Sequence, residues 1–360
     1  MIVNSRLQKL RQKLAEKEID AILVSQSENR YYLSGFDGSA GFLLITAEKA
    51  ILATDFRYIE QAGAQAPDYE VSRITNNITD WFPSLAGDLS LRRLGFEAGN
   101  VTFTMHHQLR DALNAKKMPT KLVPVNGLVE SLRAIKEPEE IECIKKAVAI
   151  ADAAYEYIEG IIRTGMTEKH VAWEIEKCLR ESGGQPVPFE IIVASGPNSA
   201  WPHAKPSERT INPGEPIVID MGAKFDGYAS DLSRTICLGT PDDTFKKVYG
   251  VVLGAQLAAL SIINEGVTGQ QADSYARTAI AQAGYGEAFG HGLGHGIGLA
   301  SHELPRLGPG STEPLISGMV FTVEPGIYLS GWGGVRIEDT VMIENGKVKL
   351  LSKARKESYD

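Results

Sequence analysis

The 360-residue sequence predicts an α+β protein in two parts. An α/β domain occupies residues 1–131, and a pseudo-twofold domain occupies residues 132–360. Three observations lead to this division. Short apolar runs alternate with amphipathic helical stretches through the first third. Beyond it the helices lengthen and glycine-rich strands follow. Within the second part, four blocks recur in the same order at a nearly constant offset, the mark of an internal repeat.

The elements follow in order. SRLQKLRQKLAEKE is a charged amphipathic helix that leads into the strand AILVS. GFLLITAEKAILATD reads as two strands around a short turn. RYIEQAGAQA is a helix, YEVSRI and LGFE are strands, TMHHQLRDALNA is a helix and KLVPV a strand. His106 and His107 on that helix lack an acidic partner at ligand spacing and read as surface or packing residues. The aromatic, glycine-rich segment ENRYYLSGFDGSAG at 28–41 suits either core packing or the lining of a pocket or interface. The second part opens with a long helix that has Pro138 in its first turn, where a missing N–H does no harm. TEKHVAWEIEKCLRESGG is a second helix with Thr167 as N-cap, and His170 within it reads as a surface or packing residue. FEIIVASGPN is a strand, and VIDMGAKFDGYASDLSR is a hairpin turning near Asp226-Gly227. Two further helices cover 242–266 and 268–284, and glycine-rich strand and loop complete the chain.

The repeat sets Gly165 against Gly266 and the His203–Pro206 pair against His302–Pro305. It also sets Gly214, Asp220 and Gly222 against Gly318, Glu324 and Gly326, and Asp231 against Glu338. A helix-helix-strand-hairpin half is therefore built twice, around residues 137–240 and 242–350. Acid falls on acid and histidine on histidine, as expected if both halves face one shared site.

Composition excludes several classes. The net charge of −8, with no long Lys/Arg run, speaks against a nucleic-acid or membrane surface. The first twenty residues contain no apolar signal core, and no run of 18 apolar residues occurs, so a soluble, cytoplasmic protein is expected. Cys143, Cys178 and Cys237 are scattered and odd in number. They read as buried reduced thiols rather than a disulfide framework or a thiolate zinc site.

Asp220 lies in the apolar run PIVIDMG, and a carboxylate buried in a strand costs several kcal/mol unless compensated. With the turn at Phe225-Asp226, Asp231 sits directly across the hairpin from Asp220. With the turn at Asp226-Gly227, the two are diagonal neighbours. In both registers they share a face. Glu324 and Glu338 are expected to be arranged in the same way on the second hairpin. Four carboxylates converging in a low dielectric either stay partly protonated or hold cations. FGHGLGHGIGLASHELP adds His291, His295 and His302 in a run poor in charge, with His203 in the matching half. HGLGH is not a zincin HExxH helix, since no Glu follows His291.

The ordered set IDMGAKFDGYASDLSR, HGLGHGIGLASHE, TVEPGIY and RIED resembles the pita-bread dinuclear metallopeptidases. These are the methionine aminopeptidases, Xaa-Pro aminopeptidases and Xaa-Pro dipeptidases (prolidases). The resemblance spans about residues 135–350, and the preceding α/β domain is similar to the creatinase/prolidase N-terminal domain. It implies a pita-bread catalytic domain in which Asp220, Asp231, His295, Glu324 and Glu338 bind two divalent metal ions. Asp231 and Glu338 would bridge both ions, Asp220 would complete one, and His295 with Glu324 the other. His203, His291 and His302 take the substrate-facing histidine positions, and Arg336 that of an arginine beside the last ligand. A shell of four carboxylates and one imidazole suits Mn²⁺ and tolerates Co²⁺, Zn²⁺ or Fe²⁺. Glu324 would shuttle a proton to the leaving nitrogen, with His203 and His302 assisting at the substrate.

The activity expected is hydrolysis of the N-terminal Xaa-Pro bond of short peptides with proline second, as an Xaa-Pro aminopeptidase. The alternative is an Xaa-Pro dipeptidase, which must also recognise a free carboxylate close to the metals, through Arg336 or a residue from a second subunit. A methionine aminopeptidase does not need the N-terminal domain. A non-catalytic binding module, or a creatinase, would lack metal ligands that are all present here. The resemblance further implies a homodimer.

Overall fold

The computed structural model describes residues 2–75, 77–87, 89–357 and 359. They fall into two compact units, Met1–Arg133 and Ala134–Asp360.

In the first unit, six strands among the described residues form one mixed sheet. They are β1 (Ala21–Val24), β2 (Phe42–Thr46), β3 (Ala50–Thr54), β4 (Glu70–Arg73), β5 (Arg93–Glu97) and β6 (Lys121–Val125), in the order β4-β3-β2-β1-β5-β6. β1 pairs antiparallel with β2 but parallel with β5, and β1 is buried along its whole length, which is why AILV reads as an unbroken apolar run. The helices are α1 (Ile2–Glu16), α2 (Ser27–Ser34), α3 (Ile59–Gln65), α4 (Ile78–Gly87), α5 (Phe103–Ala115) and α6 (Glu130–Arg133). Sequence reasoning missed α2, α4 and α6. α2 ends at Gly35, whose φ of 77° is the left-handed cap that glycine adopts freely. Tyr32, Leu33 and Phe36 are buried, so the apolar part of segment 28–41 packs in this unit's core.

The second unit contains two halves of like design. The first comprises α7 (Pro138–Ile161), α8 (Glu168–Glu181), β7 (Ile192–Ser195), β8 (Pro216–Met221), the short β9 (Lys224–Phe225) and β10 (Tyr228–Ala229), and β11 (Leu232–Cys237). The second comprises α9 (Asp243–Ile262), α10 (Gly269–Gln282), β12 (Gly294–Gly296), β13 (Glu303–Leu307), β14 (Val320–Val323), β15 (Gly326–Leu329), β16 (Gly333–Arg336), β17 (Asp339–Glu344) and β18 (Lys347–Leu350). Among the described residues, β11-β8-β7 form one sheet and β13-β12-β14-β17-β18 another. Thr167 caps α8 by accepting from His170 N, and Thr268 caps α10 by accepting from Gln271 N. Each half buries its own core. Ala147, Tyr155, Val171 and Ile175 meet β7, β8 and β11 in one, and Val248, Val252, Ala276 and Phe321 meet in the other. α9 is long and apolar enough to span a bilayer by composition alone, yet here Phe245, Val248, Val252, Ala255 and Ala259 turn into the core.

Two expectations need correction. The three cysteines are unpaired, but they are half-buried rather than buried, because they lie on helix flanks and at the end of β11. The two hairpins also differ in register. Phe225 pairs with Tyr228 across a two-residue turn in which Asp226 (φ 47°) and Gly227 (φ 83°) both have positive φ, as a type I′ turn requires. The same register places Ser233 opposite Asp220, so Asp231 is its diagonal neighbour. In the second hairpin Val323 faces Asp339 and Gly326 faces Arg336, which sets Glu324 directly opposite Glu338. The longer excursion through β15 and β16 accounts for the difference.

Candidate metal centre

The centre lies where the two hairpins meet. Asp220 is the penultimate residue of β8, Asp231 precedes β11, Glu324 follows β14 and Glu338 precedes β17. Ligand atoms of Asp231, His295 and Glu338 all lie within 4.8 Å of one another. His295 Nε2 is 3.7 Å from Asp231 Oδ2 and 3.3 Å from Glu324 Oε1. Asp220 is tied in through Arg336, whose Nη2 donates to its Oδ2 at 2.6 Å. The five predicted ligand residues thus line one cavity of about 470 Å³, together with His203, His291, His302 and Arg336. His170 is exposed on α8, away from it.

His295 is delivered by a strand that only glycine permits. A Cβ on Gly294 would lie 2.1 Å from Thr322 O, and one on Gly296 would lie 2.0 Å from Leu304 O. The single histidine breaks the internal symmetry. Asp220 faces Ile192 across β7, while Glu324 N donates to Leu293 O at 2.8 Å. Counting two residues on from each, Ala194 is the counterpart of His295. The repeat therefore matches the acids but not this histidine.

Several supporting residues escaped the sequence reading. Thr322 Oγ1 donates to Glu324 Oε1 at 3.2 Å and accepts from His295 N at 3.1 Å. The alternation of β14 could have found it, since Thr322 shares a face with Glu324. Ser233 Oγ donates to Glu338 Oε2 at 2.7 Å and accepts from Arg336 Nε at 2.9 Å. Tyr328 OH lies 2.9 Å from His291 Nε2 and accepts from Arg336 Nη1 at 3.0 Å. Arg336 also reaches Pro202 O, and only 4% of its surface is exposed. Its guanidinium is committed to orienting Asp220 and the surrounding frame. Acids behind the two histidine loops fix those loops. Glu168 accepts from Ser195 N and Ser207 N, on either side of His203. Asp273 accepts from Leu293 N and from Arg277, whose Nη2 also donates to His291 O at 2.7 Å. Lys136 forms a buried ion pair of 2.7 Å with Glu303, the residue after His302, whose ring stacks on His295 at 3.9 Å.

The electrostatics ask for cations. Burial, and then the charges of Glu338, Asp220 and Glu324, push Asp231 well above the usual carboxylate range. Burial and then Glu324 and Asp220 do the same to Glu338. Burial raises Glu324 to about 7, although Arg336 opposes the shift. Burial lowers His295 to about 4, which leaves a neutral imidazole with a lone pair for a metal. Asp220 Oδ1 and Glu338 Oε1 are buried without a hydrogen-bond partner among the described residues. Reluctant, under-bonded carboxylates around a neutral histidine are the donor set that a divalent cation relieves. The residues present therefore fit metal ions.

Two family models match the chain. Residues 142–345 match "Metallopeptidase family M24", and residues 6–135 match the "Creatinase/Prolidase N-terminal domain". The chain belongs to metallopeptidase family M24. The family-level resemblance and the two-part pita-bread architecture therefore hold, and the chain is a peptidase of a metal-dependent family. Among curated relatives it is 36% identical to an Xaa-Pro dipeptidase of Pyrococcus horikoshii, over 99% of each chain. Among solved structures it is similar to an Xaa-Pro dipeptidase from Bacillus anthracis, at 42% identity and TM-score 0.94 with 99% of each chain covered. An X-Pro aminopeptidase from Thermotoga maritima is similar at 38% identity and TM-score 0.89, covering 98% of this chain and 99% of that one.

Stability of the metal-free protein should report the strained carboxylates. A group whose pKa is raised in the folded state contributes stability that is lost as pH rises through that folded value. His291 and His295, lowered to about 4, act oppositely but only below their unfolded value of 6.5. Between pH 6.5 and 8, with Glu324 at about 7, the chelated protein should therefore lose about 1 kcal/mol or more. Thermal melts in EDTA should show that fall, and saturating Mn²⁺ should flatten it. A metal-free melting temperature that rises over this range would contradict the cluster's electrostatics.

Proposed function

We propose that this chain is an Xaa-Pro dipeptidase that uses two divalent cations held by Asp220, Asp231, His295, Glu324 and Glu338. The observation that carries the reading is the meeting of Asp231, His295 and Glu338 on one wall of a substrate-sized cavity. Full-length similarity to proteins named Xaa-Pro dipeptidase supports the dipeptide substrate, and shifts the weight away from the aminopeptidase expected from the sequence. The Thermotoga maritima relative, named an aminopeptidase, keeps longer Xaa-Pro peptides as the second reading.

The oxygen-rich donor set favours Mn²⁺ over softer-ligand metals, with Co²⁺, Zn²⁺ and Fe²⁺ as competitors. When bound, the cations supply Lewis acidity toward the scissile carbonyl and lower the pKa of a water. Glu324, oriented by Thr322, takes a proton from the attacking water and returns it to the leaving nitrogen. That return is obligatory, because the proline nitrogen of a peptide bond carries no hydrogen and leaves only when protonated. His203 and His302 on the cavity wall hold the substrate backbone and stabilise the developing oxyanion. His291, anchored on Tyr328, shapes the far wall. Arg336 is committed to holding and aiming Asp220, so the terminal carboxylate is read by another group.

The reading is tested with Ala-Pro, Ala-Pro-Ala and Met-Ala-Ser in Mn²⁺ and in Co²⁺. Cleavage of Ala-Pro with little of the tripeptides is expected. Equal or better cleavage of Ala-Pro-Ala would establish the aminopeptidase instead. His203→Ala should lower turnover by about 10²-fold and leave metal content unchanged; parallel loss of metal would remove His203 from its substrate role. The homodimer remains part of the proposal and is checked by sedimentation velocity.

A further inference from the structure

Arg234 lies where β11 of the first half crosses the strand that carries Glu338, and it is 1% exposed. Its Nη1 donates to Ser233 O and to Glu338 O, and its Nη2 pairs with Asp339 Oδ1 at 2.8 Å. The remaining donors leave the hairpins altogether. Nη2 donates to Ala354 O at 2.6 Å and Nε to Arg355 O at 3.0 Å. The other oxygen of Asp339 pairs with Lys356 Nζ at 2.6 Å. The segment after β18 is therefore wired to a residue adjacent to one candidate ligand and to a residue three after the other.

The same segment is fastened to both halves. Leu351 N donates to Thr340 O, and Thr340 N donates to Ser352 Oγ, beside the second hairpin. Asp152 of α7, in the first half, accepts from Lys353 N and Ala354 N at 2.9 Å each. Thr340 Oγ1 in turn donates to Asp231 O at 2.8 Å. A buried guanidinium needs an acceptor for each N–H, and here the terminal backbone provides two of them. Without that segment Arg234 and Asp339 would lose acceptors and a counter-charge at the crossing of the two hairpins.

We propose that residues 351–356 are a working part of the metal centre, a brace that holds the Glu338 strand against the Asp231 strand, with Arg234 and Lys356 as positioning residues. This rests on Asp231 and Glu338 being metal ligands. Ala354 packs against the first half's core and Leu351 is buried, but the polar bonds of the segment are what join the two halves. Its effect is on the spacing between halves, and hence on how well two carboxylates from different hairpins share a cation.

The test uses the full chain with Lys356→Met, Lys356→Arg and Asp152→Asn, at a temperature where circular dichroism shows each fully folded. Mn²⁺ affinity is measured by titration calorimetry, alongside kcat and KM on Ala-Pro. Lys356→Met should weaken Mn²⁺ binding about tenfold and lower kcat with KM little changed, while Lys356→Arg recovers most of the affinity. Asp152→Asn, which loosens the segment and leaves the Asp339 ion pairs intact, should weaken binding about threefold. Metal affinity within a factor of two of wild type in folded Lys356→Met overturns the proposal, even if its melting temperature falls. If Lys356→Met does not fold, unchanged affinity in Asp152→Asn overturns it. An Asp231→Asn protein that still binds Mn²⁺ at wild-type affinity would instead overturn the ligand assignment, and the brace with it.

Discussion

Asp231→Asn should severely weaken both metal binding and peptidase activity. Asp231 sits at the centre of the cluster, 5% exposed, with His295 Nε2 3.7 Å away and Glu338 in the same triad of ligand atoms. Its pKa is pushed up by burial and by three neighbouring acids, so its charge is sustainable only against cations. The amide is nearly isosteric and keeps the fold but withdraws a negative charge and a donor oxygen. We expect kcat/KM on Ala-Pro to fall by about three orders of magnitude, on the order of 4 kcal/mol of transition-state stabilisation. Metal analysis of the purified variant should show sub-stoichiometric occupancy. The metal-free melting temperature should rise, because one of the repelling acids is gone. Activity that persists in the variant after chelation would defeat the two-cation mechanism.

Lys136→Met should strongly destabilise the second unit. The Lys136 and Glu303 side chains are 1% and 5% exposed, and their charges meet at 2.7 Å. Removing one partner leaves Glu303 charged in a low dielectric, at a cost of about 3 kcal/mol. For a unit of this size that lowers the melting temperature by on the order of 10 °C. Glu303 follows His302, so turnover should fall with stability as the histidine loses its anchor against His295. The double change Lys136→Met with Glu303→Leu removes both charges and should recover much of the loss. If the double variant is no more stable than Lys136→Met alone, the cost lies in packing and not in the lost ion pair.

Much of this site could be read without a structure. Hairpin alternation alone puts Asp220 and Asp231 on one face, and the Asp226-Gly227 pair suits the type I′ turn that sets their register. The long helices α7 to α10 carry clear periodicity and caps. The internal repeat singled out Glu324 and Glu338 before any contact was known. What was missed has two sources. α2 lies within the aromatic, glycine-rich segment that gives no clear helical period, and α4 carries Pro83 within it. Thr322, Ser233, Tyr328, Arg234 and Lys136 are ordinary residues in sequence. Their roles arise from partners up to 167 positions away, as for Lys136 and Glu303.

Sequence alone determined the kinds of groups, their order and their facing along each strand, because side-chain alternation is a local property of a β-strand. It therefore placed four carboxylates beside a histidine-rich run, while the resemblance to a known family is what singled out His295 as the expected fifth ligand. The tertiary structure alone decided that one acid pair is diagonal and the other direct, and that Ala194 stands where His295 has its counterpart. It also decided that Arg336 serves Asp220. Those outcomes depend on how two separately buried cores settle against each other, and no periodicity within either half encodes that placement.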